Sequence, residues 1–252
     1  MKQNKTDLSV FNKFDFIYPP VGVKYLLRKP QGFEQLDKRL ALCEMINESQ
    51  QRGTPFYITK DNEDCAGVMM LGMAPPSGHP GGGELGVRYG IFDEARVNER
   101  LIANSPKMNT GAVKYVAFSP LNKVTFEPDL LFLVASTSQA EIVLRAMSYS
   151  TGEIWTSKVT PVGACSWLFV YPFQSGNVNY VPTGMTFGLK CKKVYPEGYI
   201  MFVIPYDWIP VIARNLEKME WVLPAYTDKT RAKFMKRRQA VFDSLDRDFL
   251  DA

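Results

Sequence analysis

Two spacings of apolar residues alternate along the chain, one of two residues and one of three to four, and they predict a succession of strands and helices. Residues 21–27 (VGVKYLL), rich in β-branched and aromatic side chains and preceded by Pro19 and Pro20, read as a strand. Residues 33–51 place Leu36, Leu40 and Cys43 on one helical stripe with Gly53 beyond the end, and so read as a helix with Cys43 facing the core. Further strands are expected at 56–59, 113–120, 129–136, 154–159 (IWTSKV), 185–194 (MTFGLKCKKV) and 198–205. Further helices are expected at 92–105, at 138–151 behind a Ser136 or Ser138 cap, at 164–173 and at 207–221. A helical turn at 65–73, capped by Asp64, would put Cys65 in its first turn. Residues 174–184 read as a Gly/Asn/Pro-rich turn region. About seven strands and six helices imply a mixed α/β or α+β domain over 1–226.

The C-terminal residues 227–252 read as a helical extension. Met235, Phe242, Leu245 and Phe249 share one helical face, beside a basic cluster from Lys229 to Arg238 that is answered by Asp243, Asp246, Asp248 and Asp251. Such a two-signed amphiphile suits docking on its own domain or on a second copy, which gives a route to a homo-oligomer. It does not suit a nucleic-acid arm.

Composition narrows the class. In 252 residues, 46% are hydrophobic and 22% charged, the balance of a globular chain with a sizeable core. The net charge of +4 is too small and too scattered to argue for nucleic acid. No run is long and apolar enough for a membrane span, and the first sixteen residues lack a secretory pattern, so a cytoplasmic protein is expected. Four cysteines, separated by 22, 100 and 26 positions, make a poor disulfide framework and would stay reduced in that compartment.

Much standard chemistry is excluded by residue count. His79 is the one histidine, which rules out His-rich zinc and two-histidine iron sites. It stands in PPSGHPGGG, expected to be a mobile flap, and its own default is a solvated side chain rather than a general base. Glycines 78, 81, 82 and 83 match no dinucleotide or P-loop spacing. The thiols remain. Cys165 and Cys191 stand near glycines whose neighbouring amides can approach a sulfur, and Cys65 at a helix start would have its pKa lowered by the dipole. The plain alternative is that all four are small buried hydrophobes.

The segments PVGVKYL, LCEMINESQQRGTPFYITKDNEDCAG, FEPDLLFLVASTSQAEIVLRAMSYSTG, GACSW and GYIMFVIPYDWIPVIARNLEKM, in this order, resemble the prokaryotic family catalogued as domain of unknown function 169, from about residue 8 to residue 224. The resemblance implies family cysteines at Cys43, Cys65, Cys165 and Cys191. Two departures stand out: Cys65-Ala66 where the family often has Cys-Pro, and KCKK around Cys191 where the cysteine is often flanked by glycine. The family name carries no activity.

Four thiolate donors without histidine suit an iron–sulfur cluster better than copper(II), manganese or catalytic zinc, and structural zinc usually draws its ligands from closely spaced pairs. The expected function is therefore a cysteine-ligated iron–sulfur cluster or thiol redox centre in an enzyme or an accessory to one, with a small-molecule ligand or an electron-transfer partner. The alternative is a non-enzymatic binding module whose cysteines only pack. Cys65 and Cys165 are expected to be the closest pair, with Cys43 merely packed. Lys24, which shares a strand face with Gly22 and Leu26, is a candidate for binding an anionic cofactor, against a solvated edge-strand lysine.

Overall fold

The computed structural model describes residues 6–76 and 83–250. Two compact units divide the chain, Met1–Glu217 and Lys218–Ala252. The first has the mixed α/β architecture expected and is built on one sheet of seven strands: β1 (Tyr18–Leu26), β2 (Glu34–Gln35), β3 (Phe56–Ile58), β4 (Tyr115–Pro120), β5 (Leu130–Ala135), β6 (Asn179–Pro182) and β7 (Ile200–Pro205). Their order is β2-β3-β4-β1-β5-β7-β6. Every pairing is antiparallel except β2 with β3.

Strand periodicity sorts the side chains. Val21, Val23, Phe118, Phe132 and Val203 lie in the main core cluster on one face, while Leu131, Leu133 and Phe202 are buried on the other. A central strand covered on both faces reads as continuously apolar, as LLFLVA of β5 does. Pro19 and Pro20 fall inside β1 rather than before it. Neither has an N–H to donate, and the register between β1 and β5 shifts between Tyr18 and Val21.

Helix α1 (Leu42–Arg52) ends where expected, at Gly53 with φ 68°, but begins only at Leu42. The residues expected to open it are instead extended: Glu34 and Gln35 pair with β3, and the Leu36 N–H donates to the Tyr57 carbonyl at 2.9 Å. A buried partner strand overrides local helical periodicity here. The next helices are α2 (Gly67–Met70), α3 (Glu84–Arg88), α4 (Ala95–Asn104) and α5 (Thr137–Ser148). Of the two cap candidates for α5, Ser136 is the cap: its hydroxyl accepts from the Gln139 N–H at 3.4 Å, and the Gln139 side chain accepts from the Ser136 N–H at 2.9 Å.

The helix expected at 164–173 contains a π-helical turn, Ser166–Val170, that runs into α6 (Tyr171–Ser175). Pro172 has no N–H to continue the α-helical ladder, which accounts for the widened turn. The expected strand at 185–194 is instead the short helix α7 (Phe187–Cys191), and α8 (Ile209–Lys218) follows β7. The expected strand at 154–159 pairs with no strand and has Ile154 77% exposed. It is held by side chains. Asn179, on β6 within the expected turn region, accepts from the Lys158 N–H at 2.9 Å and donates to the carbonyls of Lys158 at 2.9 Å and Trp167 at 2.7 Å. In the second unit, α9 (Arg231–Leu250) is preceded by Asp228, which accepts two hydrogen bonds from Arg237.

His79 and glycines 78, 81 and 82 of the expected flap lie outside the described residues, as does the side chain of Phe249. Among the described residues no helix is long and apolar enough to cross a membrane.

Asn179 is fully buried and ties three backbone groups together. Asn179→Ala is expected to cost about 2 kcal/mol, since water can replace the bonds to Lys158 but the Trp167 carbonyl is left without its donor, a loss of about 1–3 kcal/mol. Urea unfolding of the variant beside the parent checks this; an unchanged midpoint refutes the bridging role.

Candidate functional site

A cleft of about 490 Å³ opens among the helices and loops of the first unit, and all four cysteines line it. They arrive from four separate places. Cys43 is the second residue of α1, Cys65 lies in the loop before α2, Cys165 immediately precedes the π-helical turn, and Cys191 ends α7. All four are free thiols.

The loop carrying Cys65 is fastened from both sides. Leu40 and Glu63 form an isolated parallel bridge beside the start of α1, and Arg39 donates to the Glu63 carbonyl at 3.1 Å. The Glu63 side chain then turns toward α2, its Oε1 accepting the Gly67 N–H at 2.9 Å. The N-cap is therefore Ala66 rather than Asp64, the first helical N–H is met by Glu63, and Cys65 precedes the helix instead of sitting in its first turn. Asp64 faces Lys192, whose Nζ lies 3.9 Å from Asp64 Oδ1 and 3.2 Å from Glu44 Oε2. One ammonium thus links the segment after α7 to α1 and to the Cys65 loop. Glu44 Oε2 also accepts the Ala41 N–H at 2.8 Å, which fixes the entry to α1 beside Cys43.

Gly67 makes this closure sterically feasible. A Cβ there would stand 2.6 Å from Leu42 Cβ and 2.9 Å from Glu63 Oε1.

Electrostatics run opposite to a helix-activated thiolate. Burial, then the neighbouring Cys65 and Glu44, push Cys43 up to about 12. Burial, then Cys65, Cys43 and Glu63, raise Cys165 well above the ordinary thiol range. Cys65 is exposed to solvent at the cleft, yet desolvation by the surrounding wall still raises it, outweighing the Ala66 N–H that stabilises its thiolate. Three thiols are therefore close enough to feel one another's charge, and Cys65 is the one the other two feel most among the thiols. Cys43, expected only to pack, packs in the core at 8% exposure and also lines the cleft. Cys191 is exposed, and its thiol donates to the Gly188 carbonyl at 3.7 Å.

Among the described residues no three His, Cys, Asp or Glu side chains are grouped to hold a single metal ion. Lys24 is elsewhere. Its Nζ donates to the Glu127 carbonyl at 2.8 Å and pairs with Asp129 Oδ1 at 3.2 Å, and it does not line the cleft.

Sequence reasoning missed Glu63 and Asn98, both 4% exposed and both in the cleft wall, as well as Lys192. A carboxylate four residues before Gly67 was the available signal for Glu63. Nothing local marks the other two.

Residues 12–215 match the sequence model of a family described as uncharacterised ArCR, domain of unknown function 169, and the chain belongs to that family. An uncharacterised protein of Methanocaldococcus jannaschii is 27% identical over 139 residues, which are 53% of this chain and 59% of that protein. The match thus spans less than two thirds of that relative's length. No solved structure matches the chain.

Thiols with raised pKa tie stability to alkaline pH. An unfolded thiol titrates near 9.0, whereas folded Cys43 does so at about 12. Both states are protonated below pH 9, where this contribution is fully present. As pH rises from 9 toward 12, the unfolded chain releases its proton first and stability falls by about 1.4 kcal/mol per pH unit for such a thiol. Urea midpoints with a chelator present, taken from pH 8 to pH 10.5, are expected to decline less steeply in Cys43→Ala than in the parent. Equal slopes would contradict the burial of this thiol.

Proposed function

We propose that the cleft holds a cysteine-ligated iron–sulfur cluster, and that the protein works in electron transfer or redox chemistry as an enzyme or an accessory to one. The observation that carries this reading is the presence of four thiols, from four separate segments, around one cleft. A cluster demands a less close convergence of its ligands than a single ion does. Metal–sulfur bonds of about 2.3 Å set the ligands of one tetrahedral ion roughly 3.8 Å apart, whereas a cluster spreads its ligating sulfurs over roughly 6–7 Å.

The acid–base state of the thiols points the same way. Disulfide exchange and nucleophilic catalysis need thiolate, and burial keeps Cys43 and Cys165 protonated near neutral pH. A strongly positive inorganic centre supplies the compensation that this apolar site lacks, with protons released as it binds. Cys43, Cys65, Cys165 and Cys191 would be its ligands. When bound, the cluster would supply one-electron transfer. Free thiols of this kind fit a reducing compartment such as the cytoplasm.

Purification without oxygen is the test, with assay of iron and acid-labile sulfide and a visible spectrum. Brown protein with broad visible absorbance is expected, and Cys65→Ser and Cys191→Ser are each expected to lose most of the colour and iron while keeping the parent's urea midpoint measured in chelator. Colourless, metal-free protein from the same preparation would sink the cluster and leave the cleft as a ligand-binding module.

A further inference from the structure

The thiols occupy only part of the cleft wall. The same wall has an apolar part, made by Leu85 of α3, Tyr89 and Ile91 just after it, Ile102 of α4 and Phe187 of α7. Leu85 and Tyr89 are 48% and 59% exposed, and the Tyr89 and Phe187 rings stand 5.0 Å apart at 43°. A volume of about 490 Å³ is in the range of sites that enclose drug-sized molecules.

The polar groups of this wall are mostly spent on one another. Lys192 is committed to Glu44 and Asp64. Two buried acceptors are not committed. Glu63 Oε2 has no hydrogen-bond partner of good geometry among the described residues, although the backbone N–H groups of Val68, Cys65 and Leu42 help to stabilise the carboxylate. Asn98 donates through Nδ2 to the Gly83 carbonyl at 3.1 Å, yet its Oδ1 has no partner among the described residues. An unmet buried acceptor costs about 1–3 kcal/mol, so the two beside this cleft favour a ligand that brings a donor.

We infer that the apolar half of the cleft binds a small, largely aromatic molecule carrying an N–H donor, its rings against Tyr89 and Phe187 and its donor directed to Asn98 or Glu63. Acceptors without a free cation beside them among the described residues select against anionic ligands. The inference rests on this cleft being the functional site, but not on which inorganic group the thiols hold.

Gly188 supplies a direct test. It lines the cleft, and a Cβ added there meets nothing within 4 Å, so a large side chain can be introduced without backbone strain. The probe is N-phenyl-1-naphthylamine, an uncharged diarylamine with one N–H whose fluorescence rises in apolar surroundings. Titrated into the full chain, it is expected to saturate at one equivalent. Gly188→Trp and Tyr89→Ala should each weaken it by roughly tenfold or more, the scale of one lost aromatic or packing contact, while Ile154→Ala, on an exposed side chain outside the cleft, leaves it unchanged. The N-methylated probe, which lacks the donor, should bind about tenfold more weakly, as one buried hydrogen bond predicts. Urea midpoints of each variant establish that it is folded. Absence of saturable binding, indifference to both cleft variants, or equal affinity for the two probes overturns the inference. Iron and sulfide are assayed on the same samples, so a colourless chain that binds the amine and a brown chain that does not are distinguishable failures.

Discussion

The candidate site depends on a close approach at Gly67. The Glu63 carboxylate reaches the first N–H of α2 while its backbone is bridged to Leu40, and Leu42 packs where a side chain on residue 67 would otherwise stand. These contacts bring the start of α1, with Cys43, against the loop that carries Cys65. A single methyl at Gly67 would press on both Leu42 and Glu63, so the residue couples helix packing to thiol placement. Burial of Glu63 follows from the same geometry, and desolvation raises its pKa despite the amide hydrogen bonds.

The sheet serves as scaffold rather than as site. Cleft residues come from segments around 41–43, 63–70, 85–102, 162–165 and 187–192, none of them on a strand. The strands supply an apolar platform on which α1 and the π-helical turn are held, the latter by the Tyr25 hydroxyl donating to the Phe169 carbonyl at 2.8 Å and by Asn179 donating to Trp167. Placing reactive side chains on connecting segments above a rigid sheet is a common division of labour in α/β proteins.

How much of this was legible in the sequence depended on range. Strands β1, β4, β5 and β7 and helices α4, α5 and α8 announce themselves by periodicity, because their burial is long and regular. Seven strands were expected and seven are present among the described residues, but two differ. IWTSKV has strand-like residues with no partner strand, and MTFGLKCKKV folds into a helical turn. In their place β2, only two residues long, exists through pairing with β3, and β6 lies in a stretch whose Asn and Pro residues disguise it. The four thiols could be named from the sequence, and family membership agrees with the resemblance seen there. Their common cleft could not be derived, nor could the roles of Glu63, Asn98 and Lys192. The same long-range packing reversed the thiol electrostatics: a helix start predicts a lowered pKa, and burial beside other thiols gives a raised one.

The dispersal of the cysteines also orders events during synthesis. Cys43 and Cys65 emerge from the ribosome well before Cys165 and Cys191, and β7, which sits between β5 and β6, is made after all four. The thiol-bearing segments can therefore come together only once residue 191 has been made, and the sheet is complete only after β7. The cleft is thus a late product of folding, assembled from chain segments made far apart in time rather than from one early-forming unit.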